Sequence, residues 1–122
     1  FIGSASSFKG SGEEGIGYSG SKAALNNAFE SLHQKFGNVY DFKIVHFGPV
    51  QTDMVPFKSR IIFMRTPQQA AMVVIDAINT KKHIIYYPWL LFIFLRLLKF
   101  LPTPLYLSVL HVINAIHKRH LK

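Results

Sequence analysis

The sequence predicts an α/β fold built on a parallel β-sheet. Three short β-rich segments alternate with two segments whose apolar residues recur at helical spacing, and this alternation is typical of parallel sheets. Apolar residues make up 49% of the 122-residue chain, which is enough for a packed core. The chain has no cysteine, which excludes a disulfide scaffold, a cysteine-ligated metal site and a thiol nucleophile.

The first strand, helix and second strand follow from local patterns. A stretch rich in Gly and Ser opens the chain, which predicts loops around a short strand that ends near Ser4. Apolar side chains recur at helical spacing over Ser19–Phe36, and Gly37 then ends this predicted helix. Residues 41–47 are rich in β-forming residues and precede Gly48, so we predict a second strand there.

A second helix and a third strand are predicted next. Thr66, Pro67 and Gln69 supply an N-cap, a first-turn proline and a capping-box partner, so a helix should run from here to about Asn79. Its periodicity places five apolar residues on the buried side: Ala70, Val73, Val74, Ala77 and Ile78. Residues 84–87 then predict a third strand, which a proline ends. Three strands are few for such a sheet, so we expect further strands from a preceding polypeptide.

The composition changes after the third strand. Trp89–Leu95 is an unbroken apolar run, Arg96 and Lys99 interrupt its continuation, and two prolines separate it from a second apolar helix over residues 105–116. The charge-free stretch Ile84–Leu95 is twelve residues long, shorter than the ~20 residues that cross a bilayer. An interfacial helix or hairpin is therefore favoured. The alternatives are a spanning helix with snorkelling cations, or a C-terminal helix that closes a substrate pocket or a homo-oligomer interface.

The net charge of +8 is concentrated in this same segment. Residues 1–80 carry seven basic and six acidic side chains, whereas residues 81–122 carry seven basic side chains and no acidic one. Cationic charge mixed with Leu, Phe and Trp favours an anionic membrane surface over nucleic acid. We therefore expect a membrane-associated protein that binds no nucleic acid. It would be monotopic or anchored at its C-terminus, and would otherwise face the cytoplasm.

A tyrosine and a lysine lie four residues apart at the start of the first helix. This spacing puts Tyr18 and Lys22 on one helix face. A phenol exchanges protons poorly at neutral pH unless a nearby cation favours the phenolate, and such a pair is suited to general acid–base catalysis. A hydroxyl such as that of Ser4 could then polarise a substrate carbonyl oxygen. The pattern predicts proton-transfer chemistry.

Three motifs follow one another in a fixed order. They are a serine-rich strand end (Ile2–Ser7), a Tyr-x-x-x-Lys helix start (Tyr18–Leu25) and a Gly-Pro-Val-x-Thr loop (Gly48–Met54). In type and order they resemble the catalytic stretch of the short-chain dehydrogenase/reductase family. The resemblance covers residues 1–88 and leaves residues 89–122 as membrane-associating or lid helices. It implies the C-terminal part of a Rossmann-like, doubly wound sheet, so the chain is expected to be a fragment that is inactive alone.

The resemblance also implies catalytic roles. Tyr18 would be the general acid/base, and Lys22 would favour its phenolate and hydrogen-bond the nicotinamide ribose. Ser4 would orient the substrate carbonyl. Ser4 precedes Tyr18 by fourteen residues and Ser6 precedes it by twelve, and the family's spacing falls between the two. We prefer Ser4, because the loop before Tyr18 looks one residue longer than in the family, and Ser6 stays a candidate.

The implied cofactor is NAD or NADP, with NADP slightly favoured. Gly48, Val50 and Thr52 would contact its nicotinamide carboxamide and the neighbouring phosphate, although Phe47 stands where the family has proline. The implied reaction interconverts an alcohol and a carbonyl. The alternative class of protein is a non-catalytic, membrane-binding or interaction remnant of the family.

Other segments of the chain also contain candidate functional residues. Gly10–Gly15 matches a dinucleotide-binding pattern, but two glutamates inside it would repel a pyrophosphate. Three histidines near the C-terminus lack a carboxylate partner, so no metal site is expected from His111, His117 and His120. His33 and His46 are interpreted as structural. Phe57–Arg65 is expected to form a lid over a hydrophobic substrate such as a lipid, steroid or retinoid, or else to pack on the C-terminal helices.

Overall fold

A computed structural model describes residues 1–8, 15–53 and 63–119 of the chain. The strands are β1 (Ile2–Ser4), β2 (Ile44–Phe47) and β3 (Ile84–Tyr87), and a single 3-10 turn (Ala5–Ser7) follows β1. The helices are α1 (Ile16–Phe36), α2 (Pro67–Asn79), α3 (Trp89–Lys99) and α4 (Thr103–Arg119). The three strands form one sheet in the order β1-β2-β3, and both pairings are parallel. The predicted α/β fold with a parallel sheet is confirmed.

The central strand is covered on both faces. Ile44, Val45 and His46 are only 1%, 3% and 4% exposed, and successive side chains of a strand point to opposite faces. On the face of Ile44 and His46 lies α1, whose Phe29 is also buried and meets the ring of Phe1 edge-on at 5.6 Å. The opposite face carries Val45, and α2 contacts β2. The hydrophobic core therefore surrounds this strand.

The start of α2 forms as its sequence predicts. The Thr66 hydroxyl accepts a hydrogen bond from the Gln69 backbone N–H at 3.2 Å, and the Gln69 side chain accepts one from the Thr66 N–H at 3.0 Å. Pro67 occupies the first helical position. On the predicted buried side Ala77 is buried, but the prediction for Ile78 is wrong, since its side chain is 68% exposed. Ile78 lies in the last turn of α2, one residue after the buried Ala77, and successive side chains of a helix point about 100° apart.

Two element boundaries differ from the predicted ones. Helix α1 begins at Ile16, three residues before the predicted start, so that Tyr18 lies in its first turn. Strand β2 begins at Ile44 instead of residue 41, because its register partner in β3 is Ile84, the first residue of that strand. The residues just before β2 instead contact a loop, since Lys43 Nζ donates a hydrogen bond to the Thr80 carbonyl oxygen at 2.7 Å.

The C-terminal segment forms two helices, as predicted, with a different break. Helix α4 begins at Thr103, so Pro104 lies in its first turn, where a missing N–H costs nothing. Helix α3 has eleven residues, which gives a length of about 16 Å at 1.5 Å per residue. Among the helices of the described residues, none is both long enough and apolar enough to span a bilayer.

We expect Thr66→Ala to lower the free energy of unfolding by about 1 kcal/mol, because the Gln69 backbone N–H loses its acceptor. Urea unfolding followed by far-UV circular dichroism measures the change. Thr66→Ser keeps the hydroxyl and should remain close to the wild-type value. A Thr66→Ala chain as stable as the serine variant would show that the capping box does not stabilise α2.

Candidate functional site

The carboxyl ends of the three parallel strands meet at one edge of the sheet. Ser4 ends β1, Gly48 follows β2 and Pro88 follows β3. Helix α1 connects β1 to its parallel neighbour β2, so it begins toward this same edge and runs back along the sheet. Lys22 Nζ of α1 donates a hydrogen bond to the Ile2 carbonyl oxygen of β1 at 3.0 Å. In open parallel α/β sheets, ligands bind outside this edge. The residues gathered here are therefore the candidate functional site.

Tyr18 and Lys22 lie together at the start of α1. The Lys22 ammonium nitrogen is 5.7 Å from the centre of the Tyr18 ring. Tyr18 is 41% exposed, so it is accessible from solvent. A Cβ added at Gly17 or Gly20, on either side of Tyr18, would meet no atom within 4 Å. Among the described residues, none covers the helix surface at these two glycines.

The candidate serine is held in a buried network. Ser4 is 8% exposed, and its Oγ accepts a hydrogen bond from the Ser6 backbone N–H at 3.2 Å. The Ser7 hydroxyl donates to the Ser4 carbonyl oxygen at 2.6 Å, and Asn26 Nδ2 donates to Ser7 Oγ at 2.8 Å. Within the described part of the chain, no hydrogen bond joins Ser4 to Tyr18 or Lys22.

Ser7 and Asn26 were missed by sequence reasoning. Asn26 follows Lys22 by four residues and Tyr18 by eight, so the three side chains share one face of α1. This spacing is the sequence pattern from which Asn26 could have been predicted. The bond from Asn26 to Ser7 ties this helix to the turn that follows β1, and it thereby fixes the helix against the strand that carries Ser4.

Gly48 has a packing role at the edge. Its N–H donates to the Tyr87 carbonyl oxygen at 2.8 Å, which continues the pairing of β2 with β3 by one residue. A Cβ at this position would lie 2.6 Å from Leu91 Cδ2, closer than two carbon atoms approach. A larger residue here would therefore force the Leu91 side chain of α3 to move.

The loop after Gly48 is pinned by a short bridge. Val50 pairs with Arg65 in parallel orientation, and the Gln51 N–H donates to the Arg65 carbonyl oxygen at 2.8 Å. Val50 is half-buried and Thr52 is exposed. Most of the expected lid, Phe57–Arg65, falls at residues 57–62, outside the described residues, as does most of the glycine-rich stretch before α1.

The two histidines interpreted as structural pack inside the chain. His33 stacks on Phe29 with ring centres 5.8 Å apart, and His46 stacks on Tyr86 at 5.2 Å. Burial lowers the pKa of His46 below its ordinary value of 6.5, although a hydrogen bond from the ring to the Ser4 backbone partly offsets this. His111 is exposed on α4. Across the residues that the structure describes, no three His, Asp or Glu side chains are grouped to hold a metal ion.

A groove lies beside this edge, between α1, one face of the sheet and α3. Its volume is about 740 Å³, and His46 and Tyr86 form part of its floor. Neither Tyr18 nor Lys22 lines it. The sequence offered no signal for this groove, because its walls come from segments that are distant along the chain.

The edge thus combines a phenol, an ammonium group and a buried serine hydroxyl at the carboxyl ends of a parallel sheet. Comparison of the chain with protein-family models, with curated proteins and with solved structures finds no match in any of the three. The function must therefore be argued from the motifs and from this geometry.

We expect the free energy of unfolding to fall as pH drops from 7 to 5, in part because of His46. The unfolded chain takes up a proton near pH 6.5, whereas the buried ring resists protonation, so acid favours the unfolded state. His46→Phe should remove this part of the slope, and His111→Gln on the exposed face of α4 should not. Urea unfolding at a series of pH values tests this. Equal slopes in the wild type and in His46→Phe would contradict it.

Proposed function

We propose that this chain belongs to an NAD- or NADP-dependent oxidoreductase of the short-chain dehydrogenase/reductase type. It would interconvert an alcohol and a carbonyl on an apolar substrate, and its sheet would be part of a Rossmann-like, doubly wound sheet. The observation that carries the proposal is the apposition of Tyr18 and Lys22 at the carboxyl edge, where Ser4 ends one strand and the Gly48–Thr52 loop leaves the next.

The residues at this edge fit the nicotinamide-ribose end of such a cofactor. An ammonium group has three N–H donors, and Lys22 uses one of them on the Ile2 carbonyl oxygen. The others can serve the ribose hydroxyls. The open surface around Gly17 and Gly20 leaves room for the sugar beside Tyr18. When bound, NAD or NADP supplies or accepts the hydride.

The proton is handled by Tyr18. In the reducing direction its hydroxyl donates a proton to the substrate carbonyl oxygen, and in the oxidising direction the phenolate takes a proton from the substrate hydroxyl. The Lys22 ammonium nitrogen, 5.7 Å from the ring centre, would be the cation beside the reacting hydroxyl. Both groups extend from one helix and lie one turn apart.

Ser4 polarises and orients the carbonyl. Because its Oγ accepts the Ser6 N–H, the Ser4 hydroxyl hydrogen stays available for the substrate oxygen. Ser7 and Asn26 would act as positioning residues, because their hydrogen bonds hold the turn that follows Ser4. Ser6 is the alternative donor, and Ser4→Ala compared with Ser6→Ala decides between them.

We expect Tyr18→Phe to reduce turnover by at least about 100-fold, the usual contribution of a general acid/base, with cofactor affinity nearly unchanged. The test uses the native polypeptide that carries this sequence, after a denaturing immunoblot against its C-terminal tail has given its mass. Absorbance of the reduced nicotinamide measures turnover on long-chain alcohols and ketones, and fluorescence quenching measures cofactor affinity. Tyr40→Phe, at an exposed tyrosine outside the site, is the matched control. Near-normal turnover in Tyr18→Phe would refute the proposal.

We also propose that α3 docks on an anionic membrane surface. Six exposed apolar side chains of this segment fall within an arc of roughly 140° at 100° per residue: Trp89, Leu90, Ile93, Phe94, Leu97 and Phe100. Phe92 and Leu98 lie on the other side and are buried. Arg96 is adjacent to the arc, where a cation can reach lipid phosphates. This arrangement supports an interfacial helix that lies along the membrane.

We expect the fluorescence of Trp89, the one tryptophan of the chain, to shift to the blue with vesicles that contain phosphatidylglycerol. Ile93→Gln with Leu97→Gln should weaken this partitioning at least about tenfold, because two exposed apolar side chains of the arc are lost. Ile75→Gln with Ile78→Gln, at similarly exposed positions of α2, is the matched control. Equal weakening by both pairs, or no shift with the wild type, would contradict membrane docking through α3.

A further inference from the structure

The groove between α1 and α3 is lined by apolar and by polar side chains in equal number. The large apolar side chains come from five separate parts of the chain: Phe8, Phe29, Ile44, Ile84, Tyr86 and Phe100. Phe92, which is 2% exposed, packs against Phe8 and Tyr86. Its ring centre lies 5.4 Å from that of Phe8 and 5.0 Å from that of Tyr86, so Phe92 stabilises the aromatic floor of the groove. A volume of about 740 Å³ lies in the range of small-molecule sites. The interior suits a hydrocarbon chain.

The charges that line the groove favour a singly charged anion. Arg96 and Lys99 extend from α3, and Glu30 extends from α1, so the charged lining sums to +1. Arg96 is fixed in place, because its Nη2 donates to the Tyr86 hydroxyl at 3.0 Å and its guanidinium lies 5.1 Å from the centre of that ring. A carboxylate carries one negative charge, whereas a phosphate monoester carries about 1.5 to 2.

We propose that this groove binds a fatty-acid carboxylate, with the acyl chain on the aromatic floor and the head group on Arg96 and Lys99. The groove is separate from the proposed oxidoreductase site, since neither Tyr18 nor Lys22 lines it. Helix α3 supplies both cations from the flank of the face proposed to dock on lipid. A fatty acid at the membrane surface therefore meets the groove without leaving the interface.

Binding is tested on the native polypeptide that carries this sequence with a dansyl-labelled undecanoate, kept below its micelle concentration and without vesicles. We expect saturable binding of one probe per chain. Decanoate should displace the probe at least about tenfold better than 1-decanol, because charge-assisted hydrogen bonds hold the head group. This comparison needs no variant, so it stands even if a substitution perturbs folding.

Two matched pairs of variants locate the site. Ala23→Trp puts a large ring into the groove and should weaken binding at least about tenfold, whereas Ala24→Trp, next to it on α1 but outside the lining, should not. Arg96→Gln with Lys99→Gln should weaken decanoate binding and leave 1-decanol unchanged. Lys81→Gln with Lys82→Gln removes the same charge from an exposed loop and should change neither.

Several results would overturn the proposal. Equal displacement by decanoate and 1-decanol would show general hydrophobic adsorption, and tighter binding of decyl phosphate than of decanoate would overturn the choice of a carboxylate. Undiminished binding by a folded Ala23→Trp chain would place the probe on the outer surface of α3. Loss of turnover in Tyr18→Phe with probe binding retained would support both sites independently, because Tyr18 does not line the groove.

Discussion

The pairing of β2 with a parallel neighbour on each side is the constraint on which the rest of the structure depends. It aligns Val45 with Ile2 on one side and with Ile85 on the other, and so brings the carboxyl ends of all three strands to one edge. It also buries both faces of β2, from Ile44 to His46. The candidate oxidoreductase site lies at the edge that this register creates, and the groove lies on one of the faces.

Helices α1 and α3 each contribute residues to two candidate binding surfaces. Helix α1 contributes to the sheet edge and to the groove, and α3 contributes to the groove and to the exposed apolar arc. The first turns of α1 present Tyr18 and Lys22 to the sheet edge, while Ala23 and Glu30, further along, line the groove. Helix α3 buries Phe92 against the aromatic cluster, directs its cations to the groove and leaves a broad apolar arc exposed. A change in how either helix packs on the sheet would therefore affect both places together.

Features set by neighbours along the chain could be predicted from sequence. The capping box at Thr66 needs only residues three positions apart, and the Tyr18–Lys22 pair needs only one turn of helix, so both could be read locally. The start of β2 depends on where β3 begins, and the exposure of Ile78 depends on what packs against α2. Both depend on tertiary contacts, which no local sequence pattern predicts.

The candidate site also combines residues that local motifs predict with contacts that they do not predict. The resemblance supplied Ser4, Tyr18 and Lys22 from motifs, but the link from Asn26 to Ser7 joins residues nineteen positions apart. The groove needs segments from both ends of the chain, from Phe8 to Phe100. Its lining mixes Phe, Ile, Asn, Arg and Lys in an order that has no period along the sequence, so only the folded chain reveals it.

The bond from Lys22 to the Ile2 carbonyl oxygen has a consequence for the outer side of β1. Val45, the register partner of Ile2, donates its N–H to the Phe1 carbonyl oxygen at 3.1 Å. In a parallel pair, the peptide groups of Ile2 then point away from β2. An extended segment laid along this side would offer its own N–H to the carbonyl that Lys22 now holds. Addition of a strand beside β1 would thus release the Lys22 ammonium group. The number of strands in the sheet therefore determines whether Lys22 is bound to the Ile2 carbonyl oxygen.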